Sequence, residues 1–220
     1  MKTAIVIGAT GLIGKNLTRI LLDDERYSFV KIFVRRSSGV VHPKLEEHIV
    51  DFDEIEKWKG EITGDVLFSA MGTTIKKAGS QAVQYKIDFT YQYEFAKAAA
   101  ANGVRKYLLV SSIGAGSKSK NFYLKIKGEL EDKISELSLK NIMIFQPSLL
   151  IGERDEKRFT EELGAKIFSP ITELIPFLKK YRPIKAETVA EAMIRSAALD
   201  SKTKVTVYLS EQIQKAVNSH

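Results

Sequence analysis

Apolar and polar positions alternate along this chain with two periods, one typical of strands and one typical of helices. Residues 3–7 form a short, β-branched apolar run that predicts a buried strand, and apolar positions from Leu12 to Leu22 then recur at helical spacing. Further strands are predicted at residues 29–34, 48–50, 65–69, 107–110 and 141–145, with helices over residues 80–101 and from Tyr123 onward. This alternation predicts an α/β fold with a doubly wound parallel sheet covered on both faces.

The chain has 220 residues, which suits one domain with a proper core, and no linker or repeat divides it. After Leu150 the pattern becomes irregular, and Pro170, Pro176 and Pro183 interrupt short helical pieces. We therefore predict a single domain over residues 1–220. Residues 150–185 are expected to form a small cap over the carboxyl ends of the strands, where open α/β sheets bind their ligands.

Three glycines, Gly8, Gly11 and Gly14, stand three residues apart between the first strand and the first helix. Gly8 permits a tight turn, Gly11 lets a ligand approach the backbone, and Gly14 lets the helix lie close to the strand. The helix N-terminus then faces an anion such as a diphosphate. A phosphate-binding loop of the nucleotide-triphosphatase type does not fit, because Lys15 is followed by Asn16. The turn therefore predicts a dinucleotide site that includes Gly8, Ala9, Thr10, Gly11, Leu12, Ile13 and Gly14.

The amino-acid composition excludes several kinds of functional site. There is no cysteine and there are three scattered histidines, so we expect no disulfide, thiolate, metal or Ser-His-Asp site. The net charge of +7 comes from dispersed lysines, which predicts a basic surface and no nucleic-acid partner. With no long apolar run and no signal peptide, we expect a cytoplasmic protein without a transmembrane segment. Residues 165–182 have an alternative interpretation as an interfacial membrane helix, but their prolines favour a substrate lid.

A tyrosine and a lysine four residues apart on one helix face form a second candidate site. Four pairs have this spacing, and only Tyr123 and Lys127 begin a helix soon after a strand that ends in hydroxyls, Ser111 and Ser112. The alternative is an ordinary surface pair on an amphipathic helix. The other pairs are Tyr27 with Lys31, Tyr93 with Lys97, and Tyr181 with Lys185.

The stretches GATGLIG, FSAMGTTIKKAGS, VRKYLLVSSIGA, NFYLKIKGELE and QPSLLIGERDEKR follow one another over most of the chain. Together they resemble the atypical, NmrA-like short-chain dehydrogenases/reductases, and most closely their Tat-interactive-protein branch. The resemblance implies a Rossmann-like fold, a nicotinamide dinucleotide and a Ser-Tyr-Lys site. Tyr123 is then the general acid in reduction, Lys127 holds the nicotinamide ribose and favours the phenolate, and Ser112, or alternatively Ser111, donates a hydrogen bond to the substrate oxygen.

Two positions depart from the family pattern. Gln146-Pro147-Ser148 replaces an Arg-Pro-Gly that many relatives carry after strand six, and Asp88 stands where many have an asparagine. Neither change removes the Ser-Tyr-Lys trio. Both concern the substrate side of the site.

The residues at the end of strand two predict which nicotinamide cofactor binds. Arg35 and Arg36 stand there, and no aspartate or glutamate stands beside them. Arginine suits a ribose 2′-phosphate, so we predict NADP(H), with NAD(H) as the less favoured alternative. Arg36 has a second interpretation as surface charge. The remaining predicted cofactor contacts are Asp51, Phe52, Ala70, Met71, Gly72, Thr73, Thr74, Ser111, Tyr123, Lys127, Pro147, Ser148 and Leu149.

Two functions are compatible with these residues. The first is an NADPH-dependent carbonyl reductase acting on a small, hydrophobic molecule. The second is a non-catalytic NADP(H)-sensing regulator that binds a protein partner. The intact trio of Ser112, Tyr123 and Lys127 favours the enzyme. The sequence does not indicate the identity of the substrate or whether the protein forms a homo-oligomer.

Overall fold

The main sheet has seven parallel strands in the order β3-β2-β1-β4-β5-β6-β9, in a computed structural model that describes residues 2–151 and 183–218. The strand order reverses between β1 and β4, which opens a crevice at the carboxyl ends of these strands. The predicted doubly wound α/β fold is confirmed. The strands are β1 (Lys2–Ile7), β2 (Tyr27–Val34), β3 (Leu45–Ile49), β4 (Val66–Ser69), β5 (Lys106–Val110), β6 (Asn141–Gln146) and β9 (Val205–Leu209), and β7 (Leu150–Ile151) pairs with β8 (Ile184–Lys185).

Helices occur in most of the connections between the parallel strands. They are α1 (Leu12–Asp23), α2 (Ile55–Trp58), α3 (Ile75–Ala78), α4 (Gln81–Tyr85), α5 (Tyr91–Ala101), α6 (Phe122–Ser135), α7 (Ala186–Ala198) and α8 (Ser210–Asn218). Short 3₁₀ turns cover Phe52–Glu54 and Lys59–Glu61, and a π-helical turn, Lys86–Thr90, joins α4 to α5.

The sheet is buried on both faces. Val6 and Ile7 are neighbours on β1, yet Val6 belongs to the core under α1 and α7, whereas Ile7 belongs to the core under α5 and α6. Leu17 fills the first core, and Phe95 and Leu130 fill the second, all with no exposed surface. This two-sided burial explains why the strands form continuous apolar runs.

The long helix predicted over residues 80–101 differs from the observed one in continuity and in burial. The π-helical turn interrupts it, and the apolar side chain of Val83 near its start is 43% exposed. Polar side chains at four-residue spacing, Gln84, Asp88 and Gln92, are buried instead. The third strand was also predicted three residues too late.

The chain after residue 182 contains elements that the sequence pattern did not reveal, namely α7, β9 and α8. Val189 and Met193 on α7 are fully buried at helical spacing, and β9 pairs with β6 as the last strand of the sheet. The cap predicted over residues 150–185 lies almost wholly outside the described residues, which include only its two ends, β7 and β8.

Helix α6 packs against the loop that precedes it without an intervening side chain. A Cβ added at Gly128 would lie 2.2 Å from the carbonyl carbon of Gly116, and the Gly116 amide donates to the Leu124 carbonyl at 3.1 Å. We expect Gly128→Ala to lower the free energy of unfolding by about 1–3 kcal/mol, as overpacking does. Urea denaturation measures this. Gly60→Ala is the control, because a Cβ there meets nothing within 4 Å, and an equal loss in both variants would contradict the prediction.

Candidate functional site

The glycine turn after β1 holds helix α1 against the backbone. Gly8 has a φ of +76°, and a Cβ at Gly14 would lie 2.0 Å from the Gly8 carbonyl oxygen. The Gly11 amide donates to that same oxygen at 2.8 Å, and Gly11 is the N-cap of α1 without a side-chain cap. The first turn of α1 contains no acidic residue. The amides that follow Gly11 therefore have no side-chain cap and no acidic residue in their own turn, which suits an anion.

A cleft of about 400 Å³ opens beside this turn at the carboxyl ends of β1, β2 and β4. It brings together three predicted groups of cofactor residues, namely the glycine turn, the end of β2 and the loop after β4. The lining residues are Gly8, Ala9, Thr10, Gly11, Phe33, Val34, Arg35, Phe52, Ala70, Met71, Gly72, Thr73, Lys77, Ala78, Val83, Ile87 and Tyr91.

Some predicted cofactor residues do not line the cleft. Ile13 is buried in the core, and Leu12 and Gly14 belong to α1. Asp51 caps the following 3₁₀ turn by accepting from the Asp53 amide at 2.9 Å. Thr74 caps α3 in a similar way, accepting a hydrogen bond from the Lys77 amide at 3.3 Å.

The cleft also contains residues that the sequence analysis missed, among them Lys77 and Tyr91. Tyr91 donates to Asp53 Oδ1 at 2.7 Å, and Lys86 pairs with the same oxygen at 2.6 Å. Tyr91 lies within the long helix predicted over residues 80–101, and the sequence pattern did not indicate that its side chain faces the cleft.

The two arginines after β2 occupy different positions. Arg35 lines the cleft, whereas Arg36 does not, and both are exposed. Within residues 2–151 and 183–218 neither guanidinium forms an ion pair. The nearby Glu47 carboxylate accepts a hydrogen bond from the Ser38 amide at 2.8 Å, and its hydrogen bonds to Ser38 hold its pKa below the usual value. Arg35 is thus a cation on the cleft wall without a protein counter-ion in the described chain.

Helix α6 places the predicted Tyr-Lys pair at the far side of the loop after β4. Asn121 caps the helix through a hydrogen bond from the Leu124 amide at 3.1 Å. Tyr123 and Lys127 share one helix face, and the Lys127 ammonium lies 6.0 Å from the centre of the Tyr123 ring. Tyr123 lines a neighbouring hollow of about 430 Å³, which shares Thr73 with the cleft.

Lys127 is buried, with 2% of its side chain exposed, and its ammonium lies 3.0 Å from Asp88 Oδ1. Asp88 is itself fully buried in the π-helical turn, and its second oxygen accepts from the Thr73 amide at 3.2 Å. Gly72 leaves room for this carboxylate, since a Cβ there would come within 3.2 Å of Oδ1. Asp88 thereby connects the cleft loop to Lys127, a link that the sequence analysis did not predict.

The two serines after β5 point to different partners. Ser111 is buried and donates to the Glu131 carboxylate, which also accepts from Gln146 Nε2 at 3.0 Å. Burial raises the pKa of Glu131, although the hydrogen bonds from Ser111 and Gln146 oppose this effect. Ser112 is half-buried, and within the described residues the one hydrogen bond of its hydroxyl is a long one, 3.5 Å, to the Ile113 carbonyl. Of the two serine hydroxyls, that of Ser112 therefore has the weaker hydrogen bond.

The segment after β6 lies beside these serines. The Pro147 carbonyl accepts from the Ile113 amide at 3.0 Å, and the Ser148 amide donates to the Ser210 hydroxyl at 2.7 Å. Leu149 is 57% exposed. Pro147 and Leu149, two of the predicted cofactor contacts, do not line the cleft.

The described residues contain neither a membrane-spanning helix nor a cluster of metal-binding side chains. Residues 2–151 and 183–218 hold no helix with the length and apolar character needed to cross a membrane. The same residues contain no group of three or more acidic or histidine side chains arranged to hold a metal ion.

Comparison with solved structures shows the same architecture. MoeE5 in complex with UDP-glucose and NAD superposes with a TM-score of 0.69 at 13% identity, covering 94% of this chain and 76% of that protein. The oxidoreductase ylbE from Lactococcus lactis gives a TM-score of 0.69 at 17% identity and covers 99% of this chain and 97% of its own. At these identities the likeness shows the Rossmann-like fold.

Curated relatives share more sequence. Protein FMP52, mitochondrial, is 31% identical in Coccidioides immitis, covering 97% of this chain and 95% of the relative. The Candida albicans protein of the same name is 30% identical, covering 99% of both chains. Protein HTATIP2 of Rattus norvegicus is 32% identical, covering 77% of this chain and 72% of the relative.

These relatives correct one expectation and establish the family. The predicted cytoplasmic location is wrong by this comparison, because the fungal relatives are named as mitochondrial proteins. A family model described as NAD(P)H-binding matches residues 8–198. The chain therefore belongs to the NAD(P)H-binding family, with FMP52 and HTATIP2 among its relatives.

Proposed function

We propose that this protein is an NADP(H)-dependent oxidoreductase that reduces the carbonyl group of a small, hydrophobic molecule. The observation that carries the proposal is the continuity between the glycine-lined cleft and the Tyr123–Lys127 face, which meet at Thr73. Family membership supports the cofactor class. The choice of NADP(H) over NAD(H) is supported by Arg35 on the cleft wall.

The residues of the cleft suit the phosphate, adenine and ribose groups of a dinucleotide. The Gly8–Gly11 turn and the N-terminus of α1 would receive the diphosphate, because no side chain separates the backbone of Gly11 from the open space. Phe52 and Tyr91 offer aromatic surfaces to the adenine, and Arg35 offers a charge to the 2′-phosphate. When bound, the nicotinamide ring supplies the hydride.

The side chains of Tyr123 and Lys127 then provide the proton that the reduction requires. The Tyr123 phenol donates its proton to the carbonyl oxygen as the oxygen gains charge, and the Lys127 ammonium on the same helix face stabilises the phenolate that is left. The Ser112 hydroxyl donates a hydrogen bond to the same oxygen and orients the carbonyl. Ser111 is a poorer candidate for this role because its hydroxyl already donates a hydrogen bond to Glu131.

A second candidate function is a non-catalytic NADP(H) sensor that binds a protein partner. The observation that favours it is the pairing of Lys127 with Asp88, which occupies the ammonium within the protein. Both candidates need the cofactor, so turnover of a carbonyl substrate separates them.

The glycine turn yields the first prediction on binding. Gly11→Val should leave the fold intact and abolish dinucleotide binding, because the added side chain enters the space that the diphosphate needs. Fluorescence titration with NADPH and circular dichroism measure the two properties. Gly14→Val is the contrasting variant, and we expect it to lose folded protein because its side chain would collide with Gly8. Unchanged NADPH affinity in folded Gly11→Val would show that the turn has only a structural role.

The arginines after β2 yield the second prediction. NADPH should bind at least about tenfold more tightly than NADH, and replacing Arg35 and Arg36 together by alanine should remove this difference. Arg35→Ala alone should account for most of the loss, because only Arg35 lines the cleft. Arg105→Ala is the matched control at the opposite end of the sheet. Equal wild-type affinities for NADPH and NADH would refute the preference.

The tyrosines yield the third prediction. Tyr123→Phe should keep NADPH affinity and lower the turnover of any accepted aldehyde or quinone by about 10²–10⁴, the usual contribution of a general acid. Lys127→Ala should lower both affinity and turnover. Tyr93→Phe is the control, because its Tyr-Lys pair lies on α5, where Lys97 pairs with Glu94.

NADPH oxidation, followed with a broad panel of aldehydes and quinones, provides the measurement. A loss of activity in Tyr93→Phe without a loss in Tyr123→Phe would place the active site elsewhere. Wild-type protein that binds NADPH and reduces none of the panel would favour the sensor.

A further inference from the structure

Asp88 places a full negative charge beside Lys127 in a buried part of the site. Its Oδ1 lies 3.0 Å from the Lys127 ammonium, and 0% and 2% of the two side chains are exposed. The buried pair is therefore electrically neutral as a unit. An asparagine at this position would keep the shape and would leave the ammonium uncompensated.

The surroundings hold the carboxylate in place. The Thr73 amide donates to Oδ2 at 3.2 Å, and Gln92 Nε2 donates to the Asp88 backbone carbonyl at 2.8 Å. The Ser69 hydroxyl in turn donates to Gln92 Oε1 at 2.7 Å. One turn beyond Lys127, Glu131 is a second carboxyl group that interacts with it, and that group accepts from Ser111 and Gln146.

The two oxidation states of a nicotinamide differ by one positive charge on the ring. A lone ammonium beside the ring would therefore weaken the oxidised form relative to the reduced form, and a neighbouring carboxylate would offset that effect. We propose that Asp88 is a specificity-determining residue that balances the charge of Lys127, so that the site accepts the oxidised and the reduced nicotinamide with comparable affinity. This inference rests on the proposed function, which brings the nicotinamide next to Lys127.

The test is the ratio of the dissociation constants of NADP⁺ and NADPH, measured by titration calorimetry. Asp88→Asn leaves one excess positive charge and should raise this ratio about tenfold, as expected for a unit charge acting over several ångströms in a partly buried site. Lys127→Met leaves one excess negative charge and should lower the ratio by a similar factor. The double variant is neutral again, and its ratio should return to within about twofold of the wild-type ratio.

Asp53→Asn is the matched control. Asp53 pairs with Lys86 and accepts from Tyr91, a residue of the cleft wall that the proposal assigns to the adenine side. The same loss of charge there should change both affinities equally and leave the ratio unaltered. A purely structural role of Asp88 would likewise weaken both nucleotides by one factor.

The outcomes separate this inference from the proposed function. A ratio within about twofold of wild type in every folded variant that binds both nucleotides overturns the role of Asp88 alone. Wild-type protein that binds neither NADP⁺ nor NADPH overturns the proposed function and this inference together. Removing one partner of a buried ion pair is strongly destabilising. If circular dichroism shows Asp88→Asn to be unfolded, Lys127→Met and the double variant decide the question.

Discussion

The contact between helix α1 and the turn after β1 determines the shape of the whole cleft. Gly14 approaches Gly8 so closely that a Cβ would lie 2.0 Å from its carbonyl oxygen, and a Cβ at Gly8 would lie 2.5 Å from the carbonyl carbon of Ala70. The helix, the first turn and the loop after β4 therefore meet through backbone atoms alone. This triple contact places the first amides of α1 at the edge of the crevice between β1 and β4, where the reversal of strand order leaves room for a ligand.

The opposite wall of the cleft is held together by hydrogen bonds between polar groups and not by close contacts between small residues. Ser69, Gln92 and Asp88 are fully buried, and each has a hydrogen-bond partner among the others or in the cleft loop. Hydrogen bonds between buried polar groups fix one arrangement of the elements that carry them. Here the set joins β4, the π-helical turn and helix α6, so the cleft loop and Lys127 hold a defined relative position.

Most of the sheet and the glycine turn could be predicted because their signals are local. Buried parallel strands form continuous apolar runs. The spacing of Gly8, Gly11 and Gly14 within seven residues indicates a tight turn with close backbone contacts. The observed β1, β4, β5 and β6 agree with their predicted positions to within one residue.

The remaining features depend on contacts between distant residues. Lys127 and Asp88 are 39 positions apart, and nothing in either neighbourhood indicates that the other will be buried beside it. The buried Gln84 and Gln92 contradict a pattern analysis that assigns polar residues to solvent. The final elements α7, β9 and α8 were missed because proline-interrupted sequence before residue 183 obscured the return to a regular period.

The π-helical turn has a further consequence for the rod that runs from α4 to α5. A turn of this kind contains one residue more than an α-helical turn, and each residue of an α-helix rotates the chain by about 100°. In a regular α-helix the side chains of Val83 and Phe95 would point about 120° apart, and the extra residue within Lys86–Thr90 reduces this angle to about 20°. One side of the rod therefore presents Val83 and Ile87 to the cleft at one end and Phe95 and Ala99 to the core at the other. The extra residue thus keeps a single apolar stripe continuous from the cleft into the core.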